Sequence, residues 1–331
     1  MTIPNHNKST AAPAVKDDLR GILLPITTPF HANGALDLDG LSSNIKKWNQ
    51  TDILGYVLLG STGECVHLDE TERLSVITAA RSAASDQSRF IVGAGQQSTR
   101  GTINEIKRVS EAVSVAAFLI ITPYFYRPSI TQQALIIHYQ SIADASPVPV
   151  ILYSMPALTG IKIEPETAAR LSEHENIIGI KDSSADLDGL RETFKLVGED
   201  FAVLTGNGTV LSQALSAGAC GGILAVGCVA PDICLEIFRA VTAGESERAS
   251  SLQAKLTPLA QAVTTRFGIG GLKAALEMKG YVGGSVRAPL AQPSDEAREE
   301  IRRCLDELAA KTPGTPRESN KLVEHKAELK A

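Results

Sequence analysis

Short apolar runs alternate with amphipathic stretches along the middle of the chain. The runs cover 21–27, 54–60, 90–95, 116–122, 148–153, 177–181, 201–205 and 221–226, and each ends in glycine, proline or polar residues. Such near-continuous apolar runs, rich in Val and Ile, fit strands buried on both faces. Between them, 41–48, 71–84, 103–113, 132–143, 165–171, 187–196 and 210–217 carry apolar residues at helical spacing. Each is long enough for a right-handed crossover between parallel strands. Eight strand-then-helix units predict an α/β protein with a closed (β/α)8 TIM barrel, and an open doubly wound sheet is the alternative. No G-x-G-x-x-G follows the first run, so the usual dinucleotide-binding signature is missing. Beyond the eighth run, 232–243, 245–263, 269–279 and 294–310 also have helical character. The expected organisation is a flexible arm over 1–19, the barrel over 20–230, a helical layer packed on it over 231–311, and a flexible tail over 312–331.

Composition narrows the class of partner. The 331 residues are 44% hydrophobic and 21% charged with a net charge of −5, which gives nucleic acid or an anionic membrane no attraction. No apolar run approaches the roughly 18 residues of a membrane span. Cys65, Cys220, Cys228, Cys234 and Cys304 are odd in number and form no C-x-x-C pair. Reduced thiols in an intracellular compartment are expected. The cytoplasm is the first choice; a mitochondrial address stays open, although Asp17 and Asp18 and the lack of arginine before Arg20 argue against a presequence. The six histidines show no metal-ligand spacing, so no metal and no other cofactor is expected.

Candidate chemistry stands at the predicted strand ends, where a barrel of this kind builds its active site. Lys181 follows the β-branched Ile177, Ile178 and Ile180. Taken alone it is a solvated charge at the end of a strand. Partly withdrawn from water, its neutral amine could attack a ketone and form a Schiff base. Gly60-Ser-Thr-Gly-Glu64 closes the second run and Tyr153 the fifth. Separately these read as a tight turn and a core-edge tyrosine. Together with Lys181 they supply a nucleophile, a cradle of hydroxyls and N–H groups for a carboxylate, and a phenol able to shuttle protons. The implied substrate is a 2-oxo acid, because a protonated imine is an electron sink that lets an adjacent C–C bond break or form without a metal.

Gly60-Ser-Thr-Gly-Glu64, Tyr153-Ser-Met-Pro156 and Gly179-Ile-Lys-Asp-Ser183 resemble, in order and spacing, the three landmark motifs of the dihydrodipicolinate synthase / N-acetylneuraminate lyase family of class I, pyruvate-dependent aldolases. The similarity runs over about 21–290. It implies a (β/α)8 barrel with extra C-terminal helices, a homo-oligomer that is usually a tetramer, and pyruvate plus an aldehyde as substrates. It implies Lys181 as the Schiff-base residue, Tyr153 as the proton relay, Ser61 as its companion, and Thr62, Gly63, Gly206 and Ile223 around the substrate.

Departures from the family narrow the aldehyde. Leu158 stands where dihydrodipicolinate synthases carry an arginine, and Phe125 where they place a second tyrosine given by the neighbouring subunit. Gly208 and Thr209 occupy the place of the acidic pair of neuraminate lyases. The general likeness is strongest to 4-hydroxy-2-oxoglutarate aldolases, through 264–269, 271–273, 280–284 and 287–289, stretches that report kinship rather than chemistry. The expectation is cleavage of a 4-hydroxy-2-oxo acid to pyruvate and an aldehyde such as glyoxylate. A 2-keto-3-deoxy sugar acid aldolase or a dihydrodipicolinate synthase-like enzyme is the alternative, and Phe125 keeps a non-catalytic oxo-acid binder in view. A phosphosugar barrel, suggested by Gly206-Asn-Gly208 and Gly221-Gly222 at strands seven and eight, leaves the three motifs unexplained.

Overall fold

Eight parallel strands close on themselves in chain order in the computed structural model, which describes residues 18–311. They are β1 (Gly21–Pro25), β2 (Gly55–Leu58), β3 (Arg89–Ala94), β4 (Ala117–Ile121), β5 (Val150–Ser154), β6 (Ile177–Asp182), β7 (Ala202–Thr205) and β8 (Gly221–Ile223). The barrel closes where Leu23 lies beside Ile223, which removes the open-sheet alternative. At that seam a Cβ on Gly221 would stand 2.0 Å from the Gly21 carbonyl oxygen, so the strands can meet there only without a side chain.

Both faces of each strand are buried, for different reasons. Leu23, Val57, Ile91, Leu119, Ile151 and Leu204 fill the barrel interior. Their neighbours Ile22, Tyr56, Phe90, Phe118, Leu152 and Val203 face the surrounding helices. This two-sided burial is why the runs read as continuous rather than alternating. Leu19 joins the inner cluster and Asp18 pairs with Arg89, so the arm expected over 1–19 gives up its last two residues to the barrel. The rest of that arm, and the tail over 312–331, lie outside the described residues.

The crossover helices are α1 (Leu38–Trp48), α2 (Glu70–Ala83), α3 (Thr99–Ala112), α4 (Gln132–Ala145), a single turn α5 (Pro156–Thr159), α6 (Pro165–Ser172), α7 (Leu187–Leu196) and α8 (Leu211–Ala217). Asp37, Asp69, Ser98, Thr131 and Asp186 cap the first four and α7 by accepting backbone N–H groups. Four further helices follow: α9 (Pro231–Thr242), α10 (Ser246–Gln261), α11 (Gly268–Met278) and α12 (Asp295–Lys311). A π-helical turn, Ala262–Arg266, joins α10 to α11. Residues 270–276 of α11 are all buried. The Trp48 indole N–H on α1 donates to the Cys228 carbonyl at 3.0 Å, tying the barrel to the segment that leads into this layer. Among the described residues no helix is long and apolar enough to cross a membrane, and Cys65, Cys228, Cys234 and Cys304 are free thiols.

Candidate active site

Lys181 owes its direction to an irregularity in β6. Val150 pairs with Ile177, but Ile151 pairs with Gly179, so Ile178 is an extra residue opposite no partner. Ile177 packs on the helix side of the barrel with Val150. Simple alternation from Ile177 would put Gly179 and Lys181 on the helix side as well. The bulge shifts the phase by one residue, and Lys181 comes into register with the inward Tyr153 while Ile180 packs outward with Leu152. The lysine ends up 5% exposed at the C-terminal mouth. Its Nζ lies 4.2 Å from the centroid of the Tyr153 ring. No carboxylate of the described residues lies within ion-pairing distance of it.

Tyr153 is buried in the inner cluster with its hydroxyl 3.4 Å from the Ser61 Oγ. Lys181, Tyr153 and Ser61 therefore form one contiguous group across β2, β5 and β6. Gly206, just past β7, covers the lysine: a Cβ there would sit 2.7 Å from Lys181 Cε and 1.9 Å from Ser183 Oγ. Its N–H donates to the Asp182 carbonyl at 2.6 Å. Ile223 is fully buried in the inner cluster that holds Tyr153.

Ser61, Thr62 and Gly63 form one 3-10 turn, with Ser61 and Thr62 half-buried and Gly63 buried. The N–H groups of Gly63 and Glu64 close the turn on Gly60 and Ser61, so those of Ser61 and Thr62 are the pair it leaves outside its own bonding. The glycines of this turn do not supply its unusual backbone. The left-handed residues are Leu59 (φ 52) and Glu64 (φ 53), on either side of the turn. Non-glycine residues in that region cost roughly 1–2 kcal/mol each, a strain typical of built sites. Gly93 on β3 makes room for it, since a Cβ there would meet the Leu59 carbonyl oxygen at 2.5 Å. The Gly63 carbonyl accepts the Thr28 hydroxyl at 2.8 Å, fixing the turn to the end of β1.

The residues expected to set specificity are spread around the mouth. Leu158 on α5 is 64% exposed, and Phe125, in the loop after β4, is 71% exposed and packs edge-on to Tyr126 at 5.0 Å. The Gln97 side chain accepts the N–H groups of Tyr124 and Phe125 and so fixes that loop. Gly208 is buried, and a Cβ there would stand 2.7 Å from Val226. Thr209 is spent locally: its N–H and hydroxyl both donate to Asn207 Oδ1, at 2.9 and 2.7 Å. Gly221 and Gly222 lie buried within β8, not in a mouth loop, so half of the phosphosugar argument disappears.

A group that the sequence reading missed lies behind the Ser61 turn. Glu64 and Lys273, on α11, form an ion pair of 2.6 Å with both side chains almost wholly buried. Lys273 also donates to the Ser285 carbonyl at 2.6 Å. Burial pushes its amine below the ordinary lysine range, against the upward pull of Glu64. The Arg287 N–H and the His67 ring reach the second Glu64 oxygen at 3.0 and 3.1 Å. The Arg287 guanidinium holds both oxygens of Glu72, and this keeps the Glu72 carboxyl below its ordinary range. The Phe30 ring lies 4.5 Å from Lys273 Nζ and 4.4 Å from the Arg287 guanidinium carbon. Glu64 and Lys273 are 209 residues apart, and no spacing rule joins them. The stretches at 271–273 and 287–289, read as marks of kinship, thus touch the end of the Ser61 turn directly.

Known proteins share this architecture. The sequence model of the Dihydrodipicolinate synthetase family matches residues 18–308. A 4-hydroxy-tetrahydrodipicolinate synthase of Methanothrix thermoacetophila is 34% identical over 291 residues, covering 88% of this chain and 97% of its own. The structure of a monomeric dihydrodipicolinate synthase variant superposes with a TM-score of 0.84 at 29% identity, over 90% of this chain and 99% of that one. An Escherichia coli prophage protein of the dihydrodipicolinic acid synthase family, solved in complex with pyruvate, gives 0.82 at 28% identity, over 88% and 98%. With the barrel, the strand-end lysine and the match over 18–308 in agreement, the chain belongs to the dihydrodipicolinate synthetase family.

Proposed function

We propose that the protein is a lyase that binds pyruvate as a Schiff base on Lys181 and makes or breaks the bond to an aldehyde, with a 4-hydroxy-2-oxo acid as the cleaved substrate. The observation that carries this reading is the placement of Lys181: inward, buried, without a carboxylate partner among the described residues, and against the Tyr153 ring. The neutral amine attacks C2 of the oxo acid to give a carbinolamine, whose hydroxyl leaves as water on taking a proton from Tyr153. Tyr153, deprotonated, then accepts the C4 hydroxyl proton as the C3–C4 bond breaks. The bonding pair moves into the imine, leaving an enamine and a free aldehyde. Protonation at C3 and hydrolysis release pyruvate and return the amine. Ser61 is within reach of the Tyr153 hydroxyl, and the Ser61–Thr62 end of the turn suits the substrate carboxylate. The similar Escherichia coli protein was solved with pyruvate, which supports the oxo-acid half. Lys181, Tyr153 and Ser61 come from one copy of the chain, so this group does not depend on an oligomer.

The names of the relatives favour a second reading, condensation of pyruvate with aspartate semialdehyde as in the 4-hydroxy-tetrahydrodipicolinate synthases. Leu158 and Phe125 stand against the semialdehyde, since neither offers a charge or a hydroxyl to its carboxylate; the same lack applies to glyoxylate and favours, within the first reading, a substrate that releases a neutral aldehyde. Pyruvate release, coupled to lactate dehydrogenase, should be measured on 4-hydroxy-2-oxoglutarate, 2-keto-3-deoxy sugar acids and sialic acid, beside consumption of aspartate semialdehyde. Turnover of the first with no use of the semialdehyde supports the cleavage reading, and the reverse supports the synthase. Leu158→Arg is expected to improve the use of acidic aldehydes and to give neutral ones nothing. Borohydride with pyruvate should trap an adduct in the wild type and not in Lys181→Ala; trapping that persists unchanged rules the lysine out. Trapping without turnover of any substrate would identify a binder.

A further inference from the structure

We propose that Glu64 is a positioning residue for the proton relay: clamped from the C-terminal helical layer by Lys273 and Arg287, it sets where the Ser61 hydroxyl stands relative to Tyr153. The proposal rests on the reading of Tyr153 and Ser61 given above.

Glu64 is the residue that ends the Ser61 turn, and its own N–H donates to the Ser61 carbonyl at 3.1 Å. Any shift of the Glu64 backbone therefore moves Ser61. That backbone is left-handed, a conformation a glutamate does not keep without support. The support is complete: one carboxylate oxygen takes Lys273 and the other takes the Arg287 N–H and the His67 ring. Lys273 in turn is tied to the Ser285 carbonyl, so α11 and the segment after it converge on a single side chain. From the opposite side the Thr28 hydroxyl, on the Gly63 carbonyl, holds the turn.

The relay distance makes the arrangement consequential. Ser61 Oγ and Tyr153 OH are 3.4 Å apart, the outer edge of a hydrogen bond, and a displacement of about half an ångström decides whether a proton can pass. A buried ion pair is an expensive way to fill space, because apolar residues of the same volume hold a fold at least as well. What the pair adds is direction. It fixes the carboxylate from two sides and leaves the turn a single orientation.

The test uses the full chain and pyruvate alone, so the unknown aldehyde does not enter. Exchange of the pyruvate methyl hydrogens for deuterium, followed by NMR in heavy water, requires the imine, the enamine and proton transfer. Borohydride trapping reports the imine separately. Glu64→Gln/Lys273→Met replaces the pair without leaving a lone buried charge, and Glu64→Gln alone, which keeps one acceptor oxygen for a Lys273 amine that burial then pushes further toward its neutral form, is the second variant if the double one does not fold. Positioning predicts a cooperative melt, trapping on Lys181 with KM for pyruvate within about threefold of wild type, and an exchange kcat lowered about tenfold or more. Adding either change to Ser61→Ala should then cost nothing beyond Ser61→Ala itself, because Glu64 acts through Ser61. Losses that multiply, or an exchange kcat that Glu64→Gln leaves intact, overturn the positioning role while the relay stands. Ser61→Ala with full exchange overturns the relay reading, and the positioning role falls with it.

Discussion

Burial holds the His138 imidazole neutral. The ring is buried on α4 with Nδ1 2.9 Å from the Thr99 hydroxyl and no partner for Nε2 among the described residues, and desolvation lowers it from 6.5 to about 4. The unfolded chain thus binds more protons between those values, so stability is complete above pH 6.5 and declines as pH falls toward 4. A shift of that size is worth about 3 kcal/mol. His138→Gln is expected to flatten the fall in Tm between pH 7 and 4.5; a slope equal to that of the wild type would refute the assignment. Gly206→Ala acts on the lysine instead. With a Cβ 2.7 Å from Lys181 Cε and 1.9 Å from Ser183 Oγ, the lysine must move, and borohydride trapping should slow about tenfold or more while Tm changes little. Lys181, Tyr153 and Ser61 were legible in the sequence because each follows an apolar run, and their proximity required only that the runs form one barrel. Glu64 was legible only as the last letter of a turn, since its partners come from the far end of the chain.

The eight strands and most helices could be read from periodicity, with errors that follow from packing. The apolar pattern predicts 221–226 for the eighth strand, yet pairing stops at Ile223: the Leu224 N–H still donates to the Leu23 carbonyl at 3.1 Å, and the chain then turns into a 3-10 helix over Ala225–Cys228. The helix expected over 103–113 starts at Thr99, its first turn being polar and capped by Ser98 rather than marked by apolar residues. The span 245–263 conceals a change from α to π geometry at Ala262, which no pattern of side chains announces. The bulge in β6 escaped for a stricter reason. Ile177, Ile178 and Ile180 suit either face of a strand buried on both sides, so the sequence is silent about which of them is extra. Removing it tests the phase argument. Deletion of Ile178 places Gly179 directly after Ile177, so plain alternation runs outward at Ile177, inward at Gly179, outward at Ile180 and inward at Lys181, and the purified variant should still form the adduct with pyruvate. A folded deletion variant that forms no adduct would show that register with Tyr153 does not aim the lysine.

The helical layer after the barrel binds the mouth at two separate places, and this gives the molecule a division of labour between strands and layer. Lys273 and Arg287 reach the turn after β2, while Gln253 on α10 reaches the loop after β7. The Gln253 amide accepts the Ser212 N–H at 2.9 Å and donates to the Gly208 carbonyl at 2.9 Å, in a buried setting. Gly208 cannot be held by a side chain of its own, because Val226 fills the space beside it. Replacing Gln253 by Leu leaves a buried donor and a buried acceptor unpaired, at about 1–3 kcal/mol for each. A loop secured only by the layer should then open while the barrel stays closed, since the strand ladder does not involve Gln253. Amide exchange measured by mass spectrometry should accelerate in Gln253→Leu over 207–212 and remain slow in β3 to β6. Equal acceleration in the strands would mean that layer and barrel open together, and the mouth loops would have no stability separate from the fold.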